Sequence, residues 1–201
     1  MSLNKTDAEF EKAANAALNE DKVDPDPASI SKVAAQTSTT IKNIWPLQKD
    51  AISFYGNPLA PDFMANLTHA KCPWKLQAAF EAGGGLIICH KKVVTSLTRV
   101  LNKTWDDIGR SQNTAHTLGY DIFDGSYVVR PKRGGTSLSM HAFGVAFDFD
   151  AAANQQHSFK HLFQHNTPLV DNFLAENWIW GGDWSAGSID AMHFQAARVH
   201  P

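Results

Sequence analysis

Ser139-Met140-His141-Ala142-Phe143-Gly144-Val145-Ala146-Phe147-Asp148-Phe149-Asp150 is the stretch on which the reading of this chain turns. From Val145 it alternates, with Val145, Phe147 and Phe149 on one side and Ala146, Asp148 and Asp150 on the other. Successive side chains of a strand point to opposite faces, so the pattern predicts a strand with one apolar and one acidic face. Downstream, Trp178-Ile179-Trp180 and Met192 to Ala196 read as the last strands, after a helix expected from about Leu169 to Glu176. Upstream, Gly83-Gly84-Gly85 is a turn before a buried strand, Leu86 to Cys89. A helix follows from about Lys91, with Val93, Val94, Leu97, Val100 and Leu101 on one face. Asp124-Gly125 is a hairpin-type turn signal leading into Tyr127-Val128-Val129-Arg130. Helices and strands mix without a βαβ rhythm, so the expected class is α+β, a largely antiparallel sheet flanked by helices.

The N-terminal part reads differently. Phe10, Ala13, Ala14, Ala17 and Leu18 recur at helical spacing over residues 6–18, with Thr6 and Glu9 fitting a capping box. The stretch from Asp24-Pro25-Asp26-Pro27 to Thr40 loses that period and reads as a linker. Residues 1–40 are therefore expected to be a helix and linker, and residues 41–201 the compact domain.

Composition narrows the function. The 201 residues are 43% apolar, and 18 Lys+Arg against 20 Asp+Glu give a formal net charge of −2. There is no basic field to hold nucleic-acid phosphates. The longest apolar run, Leu86 to Cys89, is far short of the roughly 18 to 20 residues of a membrane span. The N-terminus carries no visible secretory signal. Cys72 and Cys89 are expected to be free thiols, since Cys89 sits in an apolar run and a core of this size needs no disulfide.

His141, Asp148 and His193 supply two imidazoles and one carboxylate from separate elements. Such a set commonly holds a catalytic Zn²⁺ and leaves its fourth position to water. Asp190, three residues before His193, can serve as general base if it sits on the turn before the strand, where Gly187 and Ser188 supply turn residues. Spacing alone leaves a blander alternative open, in which these are solvated strand aspartates and ordinary histidines.

The pattern S-x-H-x-x-G-x-A-x-D over Ser139 to Asp148, followed by D-x-x-H-F over Asp190 to Phe194, resembles that of the zinc peptidoglycan peptidases. These include the vancomycin-resistance D-alanyl-D-alanine peptidases and the phage-type L-alanyl-D-glutamate endopeptidases. Trp178 to Trp184 and Tyr127 to Arg130 share in the resemblance, which covers roughly residues 44 to 197. It implies a Hedgehog/DD-peptidase-like fold, one Zn²⁺ per chain on His141, Asp148 and His193, and Asp190 as catalytic base. It further implies that Arg130 steadies the substrate's carbonyl or carboxylate, the alternative being a surface strand arginine. Ser139 either touches substrate or braces the His141 turn. Gln195 departs from the pattern, because many members carry Glu there.

The activity so implied is hydrolysis of peptidoglycan stem peptides. Within the resemblance an Asp base goes with L-alanyl-D-glutamate endopeptidases and an endolysin-like role, and a Glu base with D-alanyl-D-alanine carboxypeptidases, so Asp190 ranks the endopeptidase first. A phage-like enzyme would stay cytoplasmic until release, and a carboxypeptidase would act in the periplasm or outside the cell. A non-catalytic, zinc-containing cell-wall binding module is the competing class, and retained Asp190 speaks against it. A zinc amidase on another fold would need a different ligand order. His157, His161 and His165 lie four apart and are expected on one helical face, solvated or adventitiously metal-binding, with Phe159, Leu162 and Phe163 packing the other side; Ser158 stands where a zinc-protease helix needs Glu. His69, His90, His116 and His200 read as structural or exposed, and Trp180 and Trp184 as candidates for a cleft wall.

Overall fold

The computed structural model describes residues 43–78 and 85–200. The helix expected over residues 6–18, the linker after it and the boundary near residue 41 lie outside the described residues. In chain order the elements are α1 (Ala51–Tyr55), β1 (Leu67–Lys71), β2 (Gln77–Ala78), β3 (Leu86–His90), α2 (Val94–Asp107), α3 (Gln112–Thr117), β4 (Ile122–Gly125), β5 (Ala146–Phe149), α4 (Pro168–Ala175), β6 (Ile179–Trp180) and β7 (His193–Gln195). Short 3₁₀ turns intervene, among them Met140–Phe143 and Gly181–Asp183. The architecture is α+β, and none of the helices among the described residues is long and apolar enough to cross a membrane.

Two sheets form. β1 and β3 make an antiparallel pair, and five strands in the order β2-β4-β5-β7-β6 make the main sheet, antiparallel except for β2 beside β4. The apolar side of the expected strand comes out as read, Val145, Phe147 and Phe149 being wholly buried; on the other side Ala146 is buried as well, Asp148 is half-buried, and Asp150 lies past the end of β5 with a left-handed φ of 45°. Behind that face lie Leu97, Val100 and Leu101 of α2 and Leu169, Val170 and Phe173 of α4. Phe173 stacks on Phe194 with ring centroids 4.3 Å apart and meets Phe149 and Trp178 edge-on or tilted. Each such ring removed from water contributes about 2 to 3 kcal/mol. Cys72 and Cys89 are buried and not joined in a disulfide, and burial pushes the Cys72 thiol up to about 12.

Three local expectations need correction. Asp124-Gly125 is not a hairpin turn; β4 runs through it, and the register against β5 shifts between Phe123 and Gly125. The glycine marks an irregularity in the ladder, a common use of glycine in strands. Tyr127 to Arg130 is not a strand, because its backbone pairs elsewhere: Val128 N–H donates to His141 O and Ser139 N–H to Arg130 O. Residues 157–165 are not helical either. Buried Asn154 organises this segment, donating to Asp150 O at 2.9 Å and accepting from Phe163 N–H at 2.8 Å, and His157 takes a left-handed φ of 65°. Phe163 is buried but Phe159 and Leu162 are exposed, so no apolar helical stripe exists there.

Candidate metal centre and cleft

Three constructions bring the chemistry-bearing side chains together. Asp148 and His193 are cross-strand partners in the β5–β7 ladder, which sets their side chains next to each other on the face away from the aromatic core. His141 comes from the 3₁₀ turn before β5. Ser139 caps that turn by accepting from His141 N–H, and Gly144 closes it with a φ of 66°. A side chain at Gly144 would meet Leu67 at 2.9 Å and the backbone of His90 at 3.2 Å, so close packing as well as backbone conformation requires glycine. Asp190 sits on the turn before β7, with His193 N–H donating to its carbonyl. The aromatic-glycine string upstream holds this turn. Asp190 N–H donates to Gly181 O, Trp180 Nε1–H donates to Ala191 O, and a Cβ on Gly181 would lie 2.3 Å from Asp190 O.

The resulting distances are short. His141 Nε2 lies 3.2 Å from Asp148 Oδ2 and 3.2 Å from His193 Nδ1, and His193 Nδ1 lies 2.9 Å from Asp148 Oδ1. Backbone carbonyls decide where the ring protons are. His141 Nδ1 faces Ser126 O at 2.9 Å and must donate to it, so Nε2 presents a lone pair. On the other ring, His193 Nε2 faces Gln195 Oε1 at 3.1 Å. The Gln195 amide nitrogen is itself committed to Ala197 O, which fixes its oxygen as the acceptor and leaves His193 Nδ1 with its lone pair.

Neutral imidazoles so arranged give three acceptors converging with no donor among them. That donor set fits a divalent cation: tetrahedral bonds of about 2.0 to 2.2 Å imply ligand atoms about 3.3 Å apart, close to the spacings present. No other group of three or more His, Cys, Asp or Glu residues among the described residues meets this condition.

The electrostatics agree with a site built to hold positive charge. Burial would raise the Asp148 carboxyl, but His141 and His193 overcome it and hold the group well below the usual carboxylate range. Burial would lower His193, yet a proton added to Nδ1 in place of a cation would be bonded by Asp148, and that bond with the charges of Asp148 and Asp190 pushes it up. Asp190 is pushed up, chiefly by burial and further by Asp148, against the lowering influence of His193, His141 and Arg133. Its Oδ1 is buried without a hydrogen-bond partner among the described residues, as is Trp184 Nε1.

These groups line a cleft of about 640 Å³. Arg130 is at its wall, half-buried, with its guanidinium on the neighbouring Pro131 carbonyl and not on any site residue. Ser139 braces the His141 turn and also reaches the cleft. Trp184 lines the cleft, its ring centroid 5.4 Å from that of His193. Trp180 does not; it is buried under the Asp190 turn.

His157 and His200 are on the rim, whereas His161 and His165 turn edge-on to Trp180, His165 also pairing with Asp183 at 2.6 Å. His90 is structural, its Nε2–H donating to Tyr55 O at 2.9 Å. Sequence reasoning missed Lys132 and Arg133, which line the cleft beside Arg130. The run Arg130-Pro131-Lys132-Arg133 was visible as a basic cluster, but nothing in its spacing said which cation would face the acid.

A peptidase M15 family model, described as D-alanyl-D-alanine carboxypeptidase, matches residues 133–196. No curated protein and no solved structure gives a significant match. The match supports a hydrolase of the metallopeptidase class, carboxypeptidase-like, over the segment carrying His141, Asp148, Asp190 and His193. Arg130 lies outside it.

Proposed function

We propose that this protein is a zinc-dependent peptidase acting on peptidoglycan stem peptides, an endolysin-like enzyme cutting between L-alanine and D-glutamate. The observation that carries the reading is the convergence of His141 Nε2, Asp148 and His193 Nδ1 beside a buried, unpartnered Asp190 oxygen in one cleft. His141, Asp148 and His193 would hold one zinc ion. When bound, zinc supplies a Lewis acid for the scissile carbonyl and brings a water's pKa toward neutrality.

The chain's own residues do the rest. Asp190 takes the attacking water's proton on its carboxylate and returns it to the leaving amine, and its burial raises its proton affinity, the direction a general base needs. Arg130, with Arg133 and Lys132 along the same wall, steadies developing negative charge or a substrate carboxylate. Ser139 keeps the His141 turn in place and offers a hydroxyl to substrate. A non-catalytic module would need the three ligands but not a base whose oxygen is left without a partner.

The choice of bond rests on the base: the shorter Asp at position 190 goes with endopeptidases in the resemblance. A D-alanyl-D-alanine carboxypeptidase is the second reading, favoured by the description of the matching family. Under either, the place of action is the cell wall, reached on lysis or by export. The chemistry is assigned to the domain expected over residues 41–201.

Mass analysis of products from defined stem peptides decides between the readings. Fragments split between L-alanine and D-glutamate support the first. Release of terminal D-alanine with that bond intact establishes the second, and no cleavage of any stem peptide by the zinc-loaded protein overturns both.

A further inference from the structure

Gln195 is wholly buried at the end of β7, two residues beyond His193 and therefore on the same face of the strand. Its side-chain amide bridges two groups of opposite demand. Ala197 O can only accept, so the Gln195 amide nitrogen must face it; His193 Nε2 then meets the amide oxygen, at 3.1 Å, and must donate. The backbone carbonyl of Ala197 thus sets the orientation of the amide, and the amide sets the tautomer of the imidazole.

We propose that Gln195 is a positioning residue that makes Nδ1 the metal-ligating nitrogen of His193, an inference that rests on the zinc reading of the site. Its amide is the group that meets both demands at once. A carboxylate there would accept from His193 equally well but would turn its second oxygen toward Ala197 O, acceptor against acceptor, in a buried position. An apolar side chain would satisfy neither partner and would leave the ring free to present the wrong nitrogen. The amide also adds no charge beside the ring. His141 is oriented by the same logic with a backbone group alone, Ser126 O. The two imidazoles are therefore held by unlike devices, one by main chain and one by a replaceable side chain, and only the second can be tested by substitution.

The experiment uses the full chain and zinc itself as the probe. In zinc-loaded protein labelled with ¹⁵N at histidine, NMR should show His193 coordinated through Nδ1 with a proton on Nε2; coordination through Nε2 overturns the proposal without any variant being made. Zinc affinity is then measured by chelator competition. Gln195→Leu should bind zinc 10- to 100-fold more weakly, the usual effect of losing a partner that orients a ligand. Gln195→Glu, which keeps the acceptor and loses only the donor toward Ala197, should stay within about threefold of the parent affinity while melting lower. Equal affinity losses in the two variants, tracking their loss of stability, would assign Gln195 a merely structural role. Failure of the parent protein to bind zinc would instead refute the reading of the metal centre, so the two failures are distinguishable.

Discussion

Phe147 pairs with Phe194 and Asp148 with His193 at adjacent rungs of the same β5–β7 ladder, yet the two faces they define are opposite in kind. Behind the sheet Phe147, Phe149, Phe173, Trp178 and Phe194 form a closed aromatic layer. In front, three acceptors converge at 2.9 to 3.2 Å, and Asp190 Oδ1 and Trp184 Nε1 are buried without partners among the described residues. Each unmet polar atom costs about 1 to 3 kcal/mol; Trp45 Nε1, packed against Trp178, carries the same cost behind the sheet, where the aromatic layer offsets it. Substitutions on the two faces should therefore have opposite signatures, activity lost in front and stability lost behind.

The largest effect is expected at the metal ligands. His141→Ala should bring bound zinc from one per chain toward none, as read by metal analysis, and abolish turnover. Chelation of the parent protein should do the same reversibly and lower its melting temperature, since a ligand bound only by the folded state stabilises it. Full zinc occupancy in His141→Ala combined with His193→Ala would mean that the metal sits elsewhere.

Asp190→Asn tests the front face without removing a ligand. Turnover should fall roughly 10²- to 10⁴-fold, the range for loss of a general acid–base group, while zinc content is unchanged. Because burial disfavours the Asp190 charge, the variant should melt at the same temperature as the parent or higher. A drop in stability matching that of a core substitution would erase the distinction between the faces.

Phe173→Ala is the converse. Phe173 lies on α4, fully buried against Phe194 and Trp178, and Phe-to-Ala changes in cores cost about 3 to 5 kcal/mol. Chemical denaturation should show that loss, and activity per folded molecule should persist well below the new melting temperature. Complete inactivation of a still-folded Phe173→Ala protein would show that the aromatic layer also sets site geometry.

What could be read in advance follows from how local each signal is. The β5 alternation and the α2 stripe at Leu97, Val100 and Leu101 are local periodicities enforced by burial, and both were legible. The His141, Asp148, Asp190 and His193 constellation was legible as residue types in order. Their convergence depends on strand register and on Gly144 and Gly181, which long-range packing decides. The His157 to His165 spacing misled because tertiary bonds from Asn154 override a weak helical pattern. Tyr127 to Arg130 misled because its β-prone residues find partners in the His141 turn and not in a sheet. The role of Gln195 was hidden for a similar reason: a side-chain amide reads as ordinary polar until the carbonyl it faces is known.

The smallest expected effect lies far from the cleft, at a polar cluster that the aromatic layer does admit. Glu176 receives both Nε and Nη2 of Arg99 at 2.7 Å, with Ser96 Oγ and Asn43 Nδ2 donating to the same carboxylate and Trp178 Nε1 donating to Ser96. The Arg99 hydrogen bonds hold the Glu176 carboxyl below its ordinary value; burial opposes this, and Ser96 and Asn43 assist. Arg99 is half exposed, so solvent screening limits the pair, and Glu176→Gln should cost about 1 kcal/mol at neutral pH. The sign follows from linkage. A carboxyl with a depressed folded-state pKa stabilises above its unfolded value of about 4.3 and loses that contribution as pH falls through the folded value. Parent and Glu176→Gln melting curves should therefore differ near pH 7 and converge under acid below that range. A gap that stays constant into acid would assign the effect to packing and not to charge, making this cluster one more part of the apolar face instead of an electrostatic exception within it.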